Sequence, residues 1–225
     1  MSGYVRRSIM PRIVRNSRYD CRRSRRSSHL RCCKDCAGWN EDVKPYPQDL
    51  EKAKELLAEA GYENGLDLKM YVSGEVRSRA AQVVQAQLAQ VGINVDINVY
   101  EWGAFQDAIN AGEHDLLILG WVNTTCDPAY SVTQLFHSRN CGMSGNRAYL
   151  KDDKVDEMID AAAVETNQEK RLQIYKDLQV RLNELCPWVP LYYKYSMVGR
   201  RSDLKGFKFN KNTSFHYLGD CYYEK

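Results

Sequence analysis

The chain has 225 residues, 44% of them hydrophobic and 27% charged, with a formal net charge of +3; that length can bury one large core or two small ones. No apolar run approaches the roughly 20 residues of a membrane span, and no apolar stretch follows the N-terminal arginines as a secretory signal would require, so the expectation is a soluble globular chain with no visible export signal. The charge is uneven: residues 1–36 hold 11 of the 32 Lys and Arg and two of the 29 acids, which leaves 21 bases against 27 acids in the rest.

The basic leader, with its run RRSRRSSHLR, has the charge of an arm for nucleic acid or a membrane surface. It lacks helical or strand periodicity and interleaved aromatics, and so reads as disordered. Cys33 and Cys36 make one C-x-x-C, but a structural zinc site needs four ligands at paired spacings. Cys21, His29 and Cys32 complete no such pattern, and no metal is expected. Cys126, Cys141, Cys186 and Cys221 are scattered singly and read as small buried thiols rather than a disulfide framework.

Regular patterning begins near Pro45. Asp49 stands as an N-cap before LEKAKELLAEA, where Ala53, Leu56, Leu57 and Ala60 make an apolar stripe, and Gly61 supplies the stop. Leu66 to Val72 alternates as a strand. A helix is expected from about Ser78, with Ala80, Val84, Leu88 and Val91 on one face and Gly92 at its end. INVDINVY alternates strictly, the period of a half-buried strand. EWGAFQDAINAGEH follows as a helix with Trp102, Phe105 and Ile109 on one face, and LLIL, Leu116 to Leu119, as a strand. Strands joined by single helices predict right-handed crossovers and a parallel sheet. The unbroken apolarity of LLIL predicts an inner strand covered on both faces, with GWVNTTCDP beyond its carboxyl end, where α/β sheets bind ligands.

The second half reads as helical. Val155, Met158, Ile159 and Ala162 form one stripe, Thr166 to Glu169 a capping box, and Leu172, Tyr175, Gln179, Leu182 and Leu185 the next stripe, which Pro187 ends. The tail is rich in aromatic and β-branched residues and predicts short strands returning to a sheet.

Taken together, YPQDLEKAKELLAEAGY, VQAQLAQVGINVDINVYEWGAFQDAINAGEHDLLILGW, DPAYSVTQLFHS, GNRAY, VDEMIDAA, KRLQIYKDLQ, CPWVPLYY and LKGFKF resemble, in order, the family 5 extracytoplasmic solute-binding proteins of ABC transporters. The resemblance runs from about Gly38 to the C-terminus and implies a type II periplasmic-binding-protein-like α/β fold. Residues 1–37 would be a leader foreign to the family, for which a shifted reading frame or a wrong gene start would account. Residues 38–188 would be the C-terminal lobe, and residues 189–225 a segment returning toward an N-terminal lobe that the chain lacks. On that view Val189 to Val198 and Lys205 to Phe209 are strands left exposing Trp188, Tyr192 and Tyr195. The implied activity is capture of short peptides (oligopeptide, dipeptide or glutathione-like) outside the cytoplasmic membrane for delivery to an ABC permease. No cofactor and no nucleic acid are implied.

A peptide receptor needs charged or amide groups for the ligand's ends, which makes Trp121, Asn123, Thr124, Asp127, Asn146 and Arg147 the candidate site. In many dipeptide-binding relatives an aspartate about four residues after the glycine pairs with the ligand's ammonium group; the matching residue here is Thr124. Asp127 either substitutes for it or caps the following helix, and Trp121 either lines the pocket or packs beneath it. Arg147 either offers its fork to a ligand carboxylate or pairs with Asp152 or Asp153 at the surface. Arg77 and Arg79 are secondary candidates. His114, His137 and His216 stand isolated, and no G-x-S-x-G, H-E-x-x-H or P-loop string occurs, so no enzymatic activity is expected.

Overall fold

Asp49 does what its position predicts: its Oδ1 accepts the amide of Lys52 at 2.9 Å and opens helix α1, Leu50–Glu59, which buries Ala53, Leu56 and Leu57 before Gly61 turns the chain at φ 79°. The computed structural model describes residues 38, 40–44, 46–123, 125, 127–142, 145–192, 198–208 and 216–224. The basic leader with Cys21, His29, Cys32, Cys33 and Cys36 lies outside the described residues, as do Thr124, Cys126, Tyr195 and Phe209.

Strand β1, Leu66–Val72, leads into α2, Glu75–Ala89, then β2, Ile93–Val99, α3, Trp102–Ala111, and β3, Leu116–Leu117. All pairings are parallel: β1 runs in register with β2 from Leu66 opposite Ile93 to Val72 opposite Val99, and with β3 through Met70 opposite Leu116 and Tyr71 opposite Leu117. The strand order is β2-β1-β3. β1 is therefore the inner strand and LLIL is not. β3 is an edge of only two paired residues among those described, but its apolarity does serve both faces: Leu116 and Ile118 join the core with α1 and α2, and Leu117 and Leu119 pack on Phe105 and Ile109. Leu68, Met70 and Val72 of β1 enter a core with α1, α2 and β2, while Tyr71 points to the other face, onto Phe105 and Ile109 of α3.

Three details of this half depart from expectation. Helix α2 starts at Glu75, one turn before Ser78, because Gly74 (φ 84°) turns the chain into it and the Ser78 hydroxyl bonds back to the Gly74 carbonyl at 3.0 Å instead of capping. Its buried stripe is Ala81, Val84 and Leu88, with Ala80 only partly buried. Trp102 keeps the expected face, its ring 5.8 Å from that of Phe105 between centroids, but as the first residue of α3 it is 53% exposed.

The second half packs α4, Pro128–Phe136, a 3₁₀ turn at Ser138–Asn140, α5, Asp153–Val164, and α6, Gln168–Leu185, around Val132, Leu135, Phe136, Val155, Ile159, Tyr175, Leu178 and Leu182. The cap of α6 is Asn167, whose side chain accepts the Lys170 amide at 3.0 Å, not Thr166; the amide acceptor one residue later matches the helix start. Gln179, the polar intruder in the α6 stripe, is buried and donates to the Gly38 carbonyl at 2.5 Å and to the Tyr175 carbonyl at 3.0 Å. Asp152 caps α5 and takes Arg181 of α6 at 2.7 Å.

Beyond α6, Trp188 is not an exposed edge: it meets Phe136 edge-on at 5.8 Å between ring centroids, and Val189 and Leu191 pack on the sheet core. The expected strand at Lys205 is short, Leu204–Lys205 (β4), and it pairs antiparallel with Tyr222–Tyr223 (β5) near the end of the chain. Tyr192 is 41% exposed. Of the thiols expected to be buried, Cys186 is buried and its Sγ lies 3.5 Å from the Trp188 carbonyl, whereas Cys141 and Cys221 are only partly buried. No helix among the described residues is long and apolar enough to cross a membrane, and no group of three His, Cys, Asp or Glu side chains among them could hold a metal ion.

Candidate functional site

The order β2-β1-β3 fixes where a ligand would meet this sheet. The connection from β1 runs outward to β2, and the next crosses back over β1 to β3, so helices α2 and α3 leave on opposite faces, and the carboxyl ends of β1 and β3 form the switch point beyond which open α/β sheets bind ligands. The segment following β3 is Gly120, Trp121, Val122 and Asn123.

This loop is held by its own side chains. Asn123 accepts the Thr125 amide at 3.1 Å and the Thr125 hydroxyl at 3.0 Å through Oδ1, and its Nδ2 donates to the Asp127 carbonyl at 2.8 Å. Trp121 lies against Tyr130 at 5.5 Å, donates through Nε1 to the Ser131 hydroxyl at 3.2 Å, and reaches the helical core with its ring. Asp127 caps α4: Oδ1 accepts the Ala129 amide at 2.8 Å, and Arg171 of α6 at 2.6 Å. Burial pushes the Asp127 carboxyl up, but the Arg171 bond, the Ala129 amide and the Arg171 charge together outweigh it and hold the group below its ordinary value. Arg171 also lies over the Tyr175 ring, 5.0 Å from its centroid.

A folded-state pKa below the unfolded one contributes stability that is present above the unfolded value and is lost as pH falls through the folded one. Asp127→Asn keeps a capping oxygen and deletes the ion pair, which is half exposed on the aspartate side. The stability gap between parent and variant is therefore expected to be modest at pH 7 and to close below the ordinary carboxyl value of 3.8. Urea midpoints at the two pH values test this; a gap that persists in acid would mean that Arg171 is not what holds Asp127.

The second group of candidates sits past the other end of α4. Asn146 is fully buried, and its Nδ2 donates to the carbonyls of Leu150 at 2.9 Å, His137 at 3.2 Å and Phe136 at 3.4 Å, while Oδ1 accepts the Leu150 amide at 3.1 Å. It closes the orphan carbonyls at the C-terminus of α4, with its amide nitrogen fully engaged inside the protein. Arg147 is different. Its Nη2 donates to Gln106 of α3 at 2.9 Å, its Nε is buried with no partner among the described residues, and no carboxylate among them pairs with it. The expected surface partner Asp152 is taken by Arg181. Burial lowers the Arg147 guanidinium's pKa, against a smaller opposing effect of Tyr149.

The structure thus brings Trp121, Asn123 and Asp127 together at the N-terminus of α4 and places Asn146 and Arg147 beyond its C-terminus. The nine residues of that helix separate the two ends by about 13 Å at 1.5 Å per residue. Of the secondary candidates, Arg79 forms an exposed pair with Glu75. Arg77 donates to the Ser73 carbonyl at 3.0 Å and lies 5.7 Å from the centroid of the exposed Trp102 ring. Sequence periodicity puts Trp102 on the face of Phe105 and Ile109, which holds, but does not reveal its exposure; the signal for that was its place directly after the end of β2.

Comparison with known proteins bears on the fold and the family. Residues 34–142 match the family model of bacterial extracellular solute-binding proteins, family 5 middle. The chain is similar to di/tripeptide-binding protein 2 of Pseudomonas aeruginosa, 32% identical over 77% of this chain and 34% of that protein. It is similar to heme-binding protein A of Haemophilus influenzae, 31% identical over 75% of this chain and 32% of that one. Among solved structures it superposes on the ABC transporter-associated periplasmic binding protein DppA from Helicobacter pylori in complex with the peptide STSA, with a TM-score of 0.86, 29% identity, and cover of 100% of this chain and 45% of that chain. The fold is that of the type II periplasmic binding proteins. The chain spans about a third of the length of the curated relatives it matches.

Proposed function

We infer the function from membership: this chain belongs to the bacterial extracellular solute-binding proteins of family 5, and it acts as a ligand-binding part of an ABC transporter receptor that takes up short peptides. The location is extracytoplasmic, as in the family, and the second partner is a permease in the membrane. On this reading residues 38–188 belong to the C-terminal lobe of that receptor, and residues 189–225 to a segment that returns toward its N-terminal lobe. The relatives named above are binding proteins, and the reading is of a receptor rather than an enzyme.

One observation carries the peptide reading: a half-buried arginine fork, Arg147, held by Gln106 and lacking any carboxylate partner among the described residues. A desolvated guanidinium with no counter-charge favours the arrival of an anion, and its planar donor pair fits a carboxylate. Trp121, Asn123 and Asp127, grouped at the other end of α4, are the further candidates for ligand contact. Asp127 offers its second oxygen, Oδ2, since the cap and Arg171 both use Oδ1. Trp102 and Arg77 extend the surface along the sheet edge. Calorimetry with tri-alanine and with its C-terminal amide tests the reading: saturable binding that favours the free acid supports it, and equal or absent heats for both ligands would overturn it.

A further inference from the structure

Tyr149 has no part in the site as described so far, yet it is held in an expensive conformation. Its φ is 50°, a left-handed backbone that a bulky residue adopts only where its surroundings enforce it. Two glycines make the room. A Cβ on Gly112 would lie 3.1 Å from the Tyr149 ring, and one on Gly142 would lie 3.4 Å from its hydroxyl. In that slot the hydroxyl donates to the Asn110 carbonyl at 2.6 Å, in the last turn of α3, where helix carbonyls lack an intrahelical partner. Next to it, His114 bonds through Nε2 to the Arg147 carbonyl at 2.9 Å.

The turn from Gly145 to Leu150 is thereby fastened at three points: Asn146 to the end of α4, the Arg147 carbonyl to His114, and Tyr149 to the end of α3. Gln106, which takes the Arg147 fork, and Asn110, which takes the Tyr149 hydroxyl, are four residues apart on α3 and so lie on one face of it. Both contacts are referenced to the same rigid helix. We infer that Tyr149 is a positioning residue for the ligand's carboxylate, locking this turn so that the Arg147 fork is already aimed before a ligand arrives. The inference rests on the carboxylate reading of Arg147 given above. A fork that must be ordered during binding loses rotamer freedom at that moment, and a pre-set one does not.

The test uses the 225-residue chain with Tyr149→Phe, which removes only the hydroxyl tether. Binding of tri-alanine is expected to weaken about three- to tenfold, binding of its C-terminal amide to stay unchanged, and the variant to add nothing in an Arg147→Ala background. Should Tyr149→Phe not fold, Tyr149→Asn cuts the same tether with a residue that tolerates positive φ, and the same selective loss is expected. Equal losses for acid and amide, or a full additional loss on top of Arg147→Ala, would reduce Tyr149 to a fold-stabilising residue and overturn the inference. If Arg147→Ala itself fails to distinguish acid from amide, the carboxylate reading falls and this inference with it. If Arg147→Ala discriminates and neither Tyr149 variant does, only the positioning role falls.

Discussion

Arg147→Ala is expected to weaken binding of a peptide with a free carboxylate by about ten- to a hundredfold, the equivalent of roughly 1.5–3 kcal/mol for one charge-assisted pair. The same substitution should leave an amidated peptide nearly unaffected. The asymmetry follows from the state of the arginine before binding. Its Nη2 is held by the neutral Gln106 and its Nε is unpartnered among the described residues, so the guanidinium is paid no compensating charge until a ligand supplies one. Arg147→Lys is expected to recover only part of the loss, since an ammonium keeps the charge but not the bidentate fork. Calorimetry on acid and amide with both variants decides it; an Arg147→Ala protein that binds the free acid as tightly as its parent would remove Arg147 from the site.

The largest stability effect is expected at Phe105. This side chain is fully buried under the sheet between Tyr71 and Ile109, with Leu117 and Leu119 packed alongside. Removing a ring from such a site costs about 3–5 kcal/mol, a large share of the 5–15 kcal/mol typical of a whole domain. Phe105→Ala should therefore move the urea midpoint far down, and loosen α3, the helix that carries Gln106 and Asn110. Trp102→Ala, three residues earlier and 53% exposed, is the control, expected to shift the midpoint by no more than about 1 kcal/mol. Comparable losses at the two positions would mean that α3 is not anchored through Phe105.

Much of the fold could be read from local chemistry. Asp49, Gly61, the alternation of Ile93 and Val95, and the α5 stripe of Val155, Ile159 and Ala162 all act through periods and caps contained within a few residues, and the structure reproduces them. What sequence could not supply was strand order, because the apolarity of LLIL is the same whether its neighbour lies on one side or two. That ambiguity misplaced β3 as an inner strand. The site was less legible. Asn146 and Arg147 are adjacent polar residues in one short motif, but one turns inward to close helix carbonyls and the other outward to Gln106. The cap offered as one reading of Asp127 is there, but its ion pair had no local signal, because Arg171 lies 44 residues away. Tyr149 gave no signal at all, since a positive φ at tyrosine follows from glycines at two distant positions rather than from its own neighbours.

The parallel sheet also sets the sequence of events by which the chain acquires its shape. Leu66 must find Ile93, 27 positions away, and Met70 must find Leu116, 46 away, whereas α5 and α6 are joined by only Glu165 to Asn167 and can dock as soon as both exist. Loop-closure entropy rises with such separations before any pairing repays it. The α5–α6 pair is therefore expected to condense early and the β2-β1-β3 layer late, so that amides of the three strands should take label from a pulse of exchange given before the sheet pairs.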